Sequence, residues 1–265
     1  LGDVYKRQVQ VKHYVTGNDA LISLAGPANK QGRIIADNIC GGDSRYLGSQ
    51  GSSVIKVFDM TAATTGINET NAKKPGLEVD TVILSPMSHA GYYPGGKVMT
   101  MKVVFEKESY RLLGAQIIGY EGVDKRIDVL ATAIHAGLKA TQLKDLDLAY
   151  APPYSSAKDP VNMAGFMIDN IAKGTLKQWH LEDMDKISRD KSVVLLDVRT
   201  VGEFNRGHMD GFKNIPVDEL RERINEIEKG KPVYLICQSG LRSYIASRIL
   251  EGNGSVSYTH LTLPT

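Results

Sequence analysis

Apolar residues keep a helical spacing in some stretches of the chain and run on unbroken in others. From Asn18 to Ile39, the residues Leu21, Ile22, Leu24, Ala25, Ala28, Ile34, Ile35 and Ile39 form one mainly apolar side, which predicts a helix approached through a turn. Gly26-Pro27 falls in its first turn, where proline is tolerated, and Gly41-Gly42 stops it. Strands are predicted over Ser53–Phe58, Thr81–Leu84, Lys97–Glu106 and Leu112–Ile118, the third alternating in part as a half-buried antiparallel strand does. Helices follow over about Val123–Ala136, closed by Gly137, and about Val161–Ala172. Strands first and helices later predict an α+β domain with an antiparallel sheet.

After a short polar linker at 174–180 the pattern changes. Val193–Val198 and Val233–Cys237 are nearly continuous apolar runs, as in buried parallel strands, and Val217–Ile227 and Ser243–Leu250 read as helices. Strand alternating with helix predicts an α/β domain with a parallel sheet.

Composition narrows the picture mainly by exclusion. The 265 residues carry a formal net charge of +2, with no basic cluster to serve as a footprint for nucleic acid or an anionic membrane. No apolar run approaches the roughly 18 residues that span a bilayer, and no metal-ligand spacing stands out. Two cysteines, Cys40 and Cys237, fall in different predicted domains, which argues against a disulfide framework and for a reducing cytoplasm. Residues 1–8 and 255–265 do not continue the patterns beside them. Both are expected to be foreign ends, similar to translated sequencing adapter, and are set apart from the fold.

Candidate chemistry centres on Val233-Tyr-Leu-Ile-Cys237-Gln238-Ser239-Gly240-Leu241-Arg242-Ser243. A buried strand ends at a cysteine, a glycine-containing loop follows, and a helix starts. Loop amides and the helix N-terminus then point at the sulfur and favour a thiolate. Arg242 adds a fixed positive charge, and Gly240 lets the loop curl. A buried, inert cysteine is the plain alternative. Cys40, at a helix end, is expected to be a small buried residue.

The loop resembles that of the rhodanese family, and the resemblance covers about 75 residues: Leu195-Leu-Asp197-Val-Arg199, Glu203-Phe204, Gly207-His208-Met-Asp-Gly211 and Asn214-Ile-Pro216 follow in the family's order. It implies a sulfurtransferase domain at 181–254, truncated by the foreign tail. Asp197 and Arg199 would organise the site, and His208 would be structural. The Cys-x4-Arg spacing is one residue shorter than the Cys-x5-Arg of the arginine-dependent cysteine phosphatases and resembles the sulfur-transferring members.

Residues 9–172 resemble the C-terminal third of the pyridine nucleotide-disulfide oxidoreductases, nearest the coenzyme A-disulfide reductase and NADH oxidase branch. The resemblance rests on Val11-Lys-His-Tyr-Val-Thr-Gly-Asn-Asp-Ala20, Leu24-Ala25-Gly26-Pro27-Ala-Asn-Lys-Gln-Gly-Arg33 and Val57-Phe-Asp-Met-Thr-Ala-Ala-Thr-Thr-Gly66. His89-Ala-Gly-Tyr92-Tyr93-Pro-Gly and Tyr150-Ala-Pro-Pro-Tyr154-Ser-Ser-Ala-Lys-Asp-Pro160 complete it. It implies the tail of an FAD-binding domain at 9–42 and a dimerisation domain at 43–173. Ala25, Gly26 and Pro27 would face the flavin. Tyr93, or Tyr92 in exchange with it, and Tyr154 would serve the redox centre of the other subunit as proton donors, with His89 structural. The aspartate that holds the flavin ribityl chain would fall near Arg7, inside the foreign end, so this chain is not expected to bind FAD or NAD(P)H stably.

Taken together, the resemblances imply a homodimeric NAD(P)H:disulfide or polysulfide reductase fused to a sulfurtransferase. Its partners would be coenzyme A, other low-molecular-weight thiols, polysulfide or thiosulfate. A sulfurtransferase with a vestigial flavoenzyme portion and a non-catalytic sensing module are the alternatives.

Overall fold

A computed structural model describes residues 9–73 and 76–259. Residues 1–8, one of the two ends set apart above, lie outside that range, as does the position near Arg7. The chain divides into two compact units, one reaching to Thr81 and continuing over Met87–Met163, the other made of Val82–Pro86 and the chain from Ala164.

The first unit opens with a small antiparallel pair, β1 (Gln10–Lys12) and β2 (Asp19–Leu21), followed by α1 (Ala25–Ile39). The turn into the predicted helix is therefore itself a strand, and Pro27 sits in the helix's first turn. The apolar side predicted for α1 is covered only in part: Ala28 and Ile34 are half-buried, Ile35 and Ile39 are exposed, and none of its residues is fully buried. Cys40, at its C-cap, is exposed for the same reason, contrary to expectation.

A five-stranded sheet follows, ordered β3-β4-β7-β6-β5, from β3 (Ser53–Val57), β4 (Met60–Gly66), β5 (Val79–Leu84), β6 (Met99–Glu106) and β7 (Leu112–Gly119), with the short α2 (Glu69–Lys73) between β4 and β5. Pairing from β3 through β4 and β7 to β6 is antiparallel. The alternation of β6 is realised in part: Met99, Met101, Val103 and Phe105 are buried, and Val104 between the last two is buried as well. β4 escapes a sequence reading because Thr61-Ala-Ala-Thr-Thr is small and polar. It is held in register by its neighbours on both sides. Gly66 takes φ +68°, and a Cβ there would lie 2.2 Å from the carbonyl oxygen of Leu113, so this close crossing requires glycine.

α3 (Val123–His135) packs on β4 and β7, burying Val123, Ile127, Leu130, Ala133 and Ile134. The opposite face of the sheet carries Ile55, Ala62, Thr64, Gln116 and Ile118 around a shallow cavity of about 370 Å³. α4 (Pro160–Ala172) follows.

Where α3 meets two loops, a charged pair is buried. Arg126, 1 % exposed, donates from Nη2 to Asp159 Oδ2 at 3.0 Å, to the Ser88 carbonyl at 2.9 Å and to the Tyr154 carbonyl at 3.3 Å. Asp159 also accepts from Ser155 Oγ at 2.6 Å and the Val161 amide at 3.0 Å. Burial pushes the Asp159 carboxyl up, but these hydrogen bonds and the Arg126 charge outweigh it and hold the group below the ordinary carboxylate value.

The second unit holds α5 (Met184–Ile187), β8 (Val194–Asp197), α6 (Val201–Arg206), β9 (Lys213–Asn214), β10 (Val233–Ile236), α7 (Leu241–Gly252) and β11 (Ser257–Thr259). Its sheet is parallel, ordered β11-β10-β8-β9. The chain is thus an α+β unit with an antiparallel sheet and helices, then an α/β unit with a parallel sheet, as the pattern predicts.

Three expectations change here. Residues 217–227 form turns and a 3-10 helix (Ile224–Glu226) instead of an amphipathic helix, because i to i+3 bonds such as Leu220 N to Val217 O follow Pro216. Their apolar side chains Val217, Leu220 and Ile227 are buried all the same. The segment read as a polar linker is packed, with Leu176 and Trp179 buried. Part of the tail set apart from the fold is a strand: β11 pairs with β10, Tyr258 stacks on Tyr234 at 5.0 Å, and the Trp179 amide donates to the Thr259 carbonyl.

Replacing Arg126 with methionine leaves the buried Asp159 without its hydrogen-bonded counter-charge, and Lys125 Nζ at 3.7 Å is then the cation nearest to it among the described ion pairs. Urea unfolding followed by circular dichroism should show the first unit destabilised by about 3–5 kcal/mol. A loss under about 1 kcal/mol would show that the pair does not anchor these loops.

Candidate functional site

β10 is buried along most of its length and delivers Cys237 to the C-terminal edge of the parallel sheet, where the side chain is fully buried. Gly240 then takes φ +91°, a conformation suited to glycine, and caps α7. The turn brings the Gly240 amide to 3.1 Å and the Ser243 amide to 3.3 Å from Cys237 Sγ. Ser243 Oγ lies 3.3 Å from the same sulfur and donates to the Gly240 carbonyl at 2.9 Å, which braces the loop across its base. Gln238 and Ser239 are half-buried, and Leu241 projects into solvent. The loop can therefore hold an anionic sulfur with backbone donors at the positive end of a helix.

Asp197 ends β8 and is fully buried. Arg199 donates to it from Nε and, at 2.6 Å, from Nη2, and also bonds the Gly207 carbonyl. Asn214 Nδ2 donates to the carbonyls of Asp197 and Arg199, both at 2.9 Å, so the spaced motifs of the sequence meet in one place. His208 is exposed, stacked on Phe204 at 3.8 Å, away from these bonds.

Arg242 does not direct its hydrogen bonds at the sulfur. Its guanidinium forms a two-pronged pair with Glu203, at 2.6 and 2.8 Å. Glu203 also accepts from the Thr200 amide at 2.8 Å and from Thr200 Oγ1 at 2.7 Å, the reciprocal arrangement that starts α6. Glu203 stands in the sequence only as part of the Glu203-Phe204 motif, with no chemical role attached, although Thr200-x-x-Glu203 is a capping signature that locates both α6 and this carboxylate. Hydrogen bonding from Arg242, then from Thr200, holds the Glu203 carboxyl well below the usual range despite its partial burial.

In the first unit, Tyr93 is partly exposed with its ring edge-on to the buried His89 at 5.6 Å, and Tyr154 is exposed. Their loops are joined by the Ala90 amide donating to the Ser155 carbonyl at 3.0 Å and by Arg126. Tyr92 lies 2.6 Å, hydroxyl to hydroxyl, from Tyr150, a contact that pushes the Tyr150 hydroxyl up. Ala25, Gly26 and Pro27 form the first turn of α1. Its N-cap residue Leu24 offers no side-chain cap, and a cleft of about 560 Å³ lined by Gly26, Pro27, Tyr14 and Lys30 opens beside it.

Residues 52–160 match the dimerisation domain of the pyridine nucleotide-disulphide oxidoreductases, and residues 180–261 match the rhodanese-like domain. The chain joins these two domains in that order. Among solved structures, reduced Bacillus anthracis CoADR-RHD is similar at 45 % identity and TM-score 0.92, over 96 % of this chain and 46 % of that one. An NAD-dependent persulfide reductase from A. fulgidus is 41 % identical, with TM-score 0.86 and the same coverage. A coenzyme A disulfide reductase of Staphylococcus epidermidis is 38 % identical over 168 residues, 63 % of this chain and 37 % of that protein. The chain thus spans under half the length of these relatives. The rhodanese-like match takes in β11.

The Glu203 shift fixes a pH dependence. A carboxyl with a lowered folded value stabilises the fold above its unfolded pKa, about 4.3, and loses that contribution as pH falls toward the folded value. The unfolding free energy difference between the native chain and Glu203→Gln should be level from about pH 7 to 5 and shrink below about pH 4.3. Trp179, the chain's single tryptophan, lies in this unit and reports its unfolding. A difference that does not change with pH would contradict the pairing.

Proposed function

We propose that the chain supplies the dimer-forming and sulfur-carrying parts of a flavin- and NAD(P)H-dependent reductase of disulfides, persulfides or polysulfides, with Cys237 as the sulfur carrier. The observation that carries this reading is the convergence of the Gly240 and Ser243 amides on Cys237 Sγ. The order of the two domains, and the persulfide and coenzyme A disulfide chemistry named for two relatives, support it.

In the first half of transfer, the Cys237 thiolate attacks the outer sulfur of a donor. A sulfur–sulfur bond forms, the donor's own bond to that sulfur breaks, and the donor leaves with the electron pair. The loop amides and the N-terminus of α7 hold the negative charge before and after. In the second half, an acceptor thiolate, from coenzyme A or another small thiol, attacks the same sulfur and Cys237 departs as thiolate. Asp197, Arg199 and Asn214 keep the strand ends in place around the loop.

Tyr93 and Tyr154 suit a separate step, proton donation to a thiolate leaving the reductase centre of a second subunit. Arg126 holds both of their loops. The uncapped first turn of α1, without an acidic side chain, suits an electron-rich edge of FAD beside Ala25, Gly26 and Pro27. When bound, the flavin would relay electrons from NAD(P)H to a disulfide. A reducing cytoplasm suits a free catalytic thiol.

With thiosulfate as donor and cyanide as acceptor, Cys237→Ser should lose transfer by about three orders of magnitude or more, since a hydroxyl cannot carry sulfane sulfur. Cys40→Ser should keep most of it. Wild-type turnover by Cys237→Ser would refute the assignment. Light scattering at micromolar concentration should give the mass of a dimer, formed through residues of about 45–172. A purely monomeric mass on folded protein would count against that part of the reading.

A further inference from the structure

Two arginines and two carboxylates gather around the Cys237 loop, and their formal charges cancel. The pairs are not equivalent. Asp197 is fully buried and Arg199 nearly so, which locks that pair into the base of the site. Arg242 and Glu203 keep side-chain exposures of 27 % and 21 %, so an incoming anion can reach this pair. Arg242 is also close enough to Cys237 and Asp197 for their charges to act on it.

Glu203 cannot easily move aside. Its carboxylate is held at once by Arg242 and by the amide and hydroxyl of Thr200, in the first turn of α6. A donor seeking the Arg242 charge competes with a carboxylate that is part of the same chain and already in place. The positive potential left for the donor comes from the loop amides and the start of α7, which is enough for a single negative charge on sulfur.

We infer that Glu203 is a specificity-determining residue of the sulfur site, which by occupying Arg242 disfavours donors that bring two negative charges. This rests on the reading of Cys237 as the sulfur carrier. Thiosulfate carries two charges: the Cys237 thiolate takes its outer sulfur, a persulfide anion forms, and sulfite leaves with both negative charges. An alkyl persulfide carries at most one, and its alkyl thiolate leaves when the terminal sulfur is taken. Freeing Arg242 should help the first donor more than the second.

The test compares kcat/KM for thiosulfate and for 2-hydroxyethyl persulfide. Glu203→Gln keeps the length of the side chain and a carbonyl oxygen for Thr200. It should raise the thiosulfate-to-persulfide ratio about tenfold. Arg242→Gln alone should move the ratio the other way, and in combination with Glu203→Gln it should remove the gain. Calorimetric titration with thiosulfate in a Cys237→Ser background, where no transfer occurs, should show about tenfold tighter binding when Glu203→Gln is added. A ratio that stays within about twofold, or a thiosulfate affinity that does not rise, overturns the inference. Absence of transfer from either donor in the native protein, with the calorimetric gain intact, would overturn the sulfur-carrier reading and leave the charge role of Glu203 standing.

Discussion

Two backbone amides converge on one buried sulfur, and most of the second unit can be understood as the means of bringing them there. A parallel sheet exposes its strand ends on one side, and β10, flanked by β8 and β11, releases the chain at that edge with Cys237 still under cover. The return into α7 is short enough to aim amides inward only because Gly240 adopts a positive φ. Ser243 then ties the helix back to the loop. The charged residues lie outside this inner ring. They set the potential and leave direct contact with sulfur to the two loop amides and to the Ser243 hydroxyl, itself tied to the Gly240 carbonyl.

The first unit solves a related problem with a different device. Its tyrosines sit on two loops far apart in sequence, and loops hold position poorly without internal anchors. Arg126 supplies the anchor from a helix, using one planar group to reach carbonyls on both loops while Asp159 balances its charge. Burying such a pair adds little net stability compared with apolar packing, and its value lies in fixing geometry. In both units, therefore, the loops that carry the candidate groups, Cys237 buried and Tyr93 and Tyr154 exposed, are held by buried polar contacts.

Much of this was legible in the chain. The apolar runs ending at Asp197 and Cys237 identified the parallel strands because a strand buried on both faces has few polar positions. The loop composition between Cys237 and Ser243 identified the amide cradle. Other features were hidden for physical reasons. β4 is made of small, polar residues and owes its conformation to pairing on both edges. Residues 217–227 have helical spacing but follow a proline and close in tighter turns. β11 looked structureless because three residues carry no period, and only β10 beside it makes them a strand. Arg126 was invisible because a lone arginine in an amphipathic helix reads as surface, and Glu203 because its partner lies 39 residues away. Pairings of this kind depend on the fold and leave no local trace, apart from the capping signature at Thr200.

The bare flank of α1 carries a consequence for how the chain opens. Within the described residues, fifteen residues of helix with only half-buried contacts such as Ala28 and Ile34 draw much of their persistence from their own backbone bonds, and an isolated helix of that length is marginal in water. Local unfolding of α1 thus costs far less than opening β6, β7 or α3, whose apolar residues are sealed from solvent. Amide protons along α1 would exchange with deuterium through this local melting long before the sheet releases its own. Among the described residues α1 is the helix of the first unit with no buried side chain, so any surface that covered it would add directly to its stability.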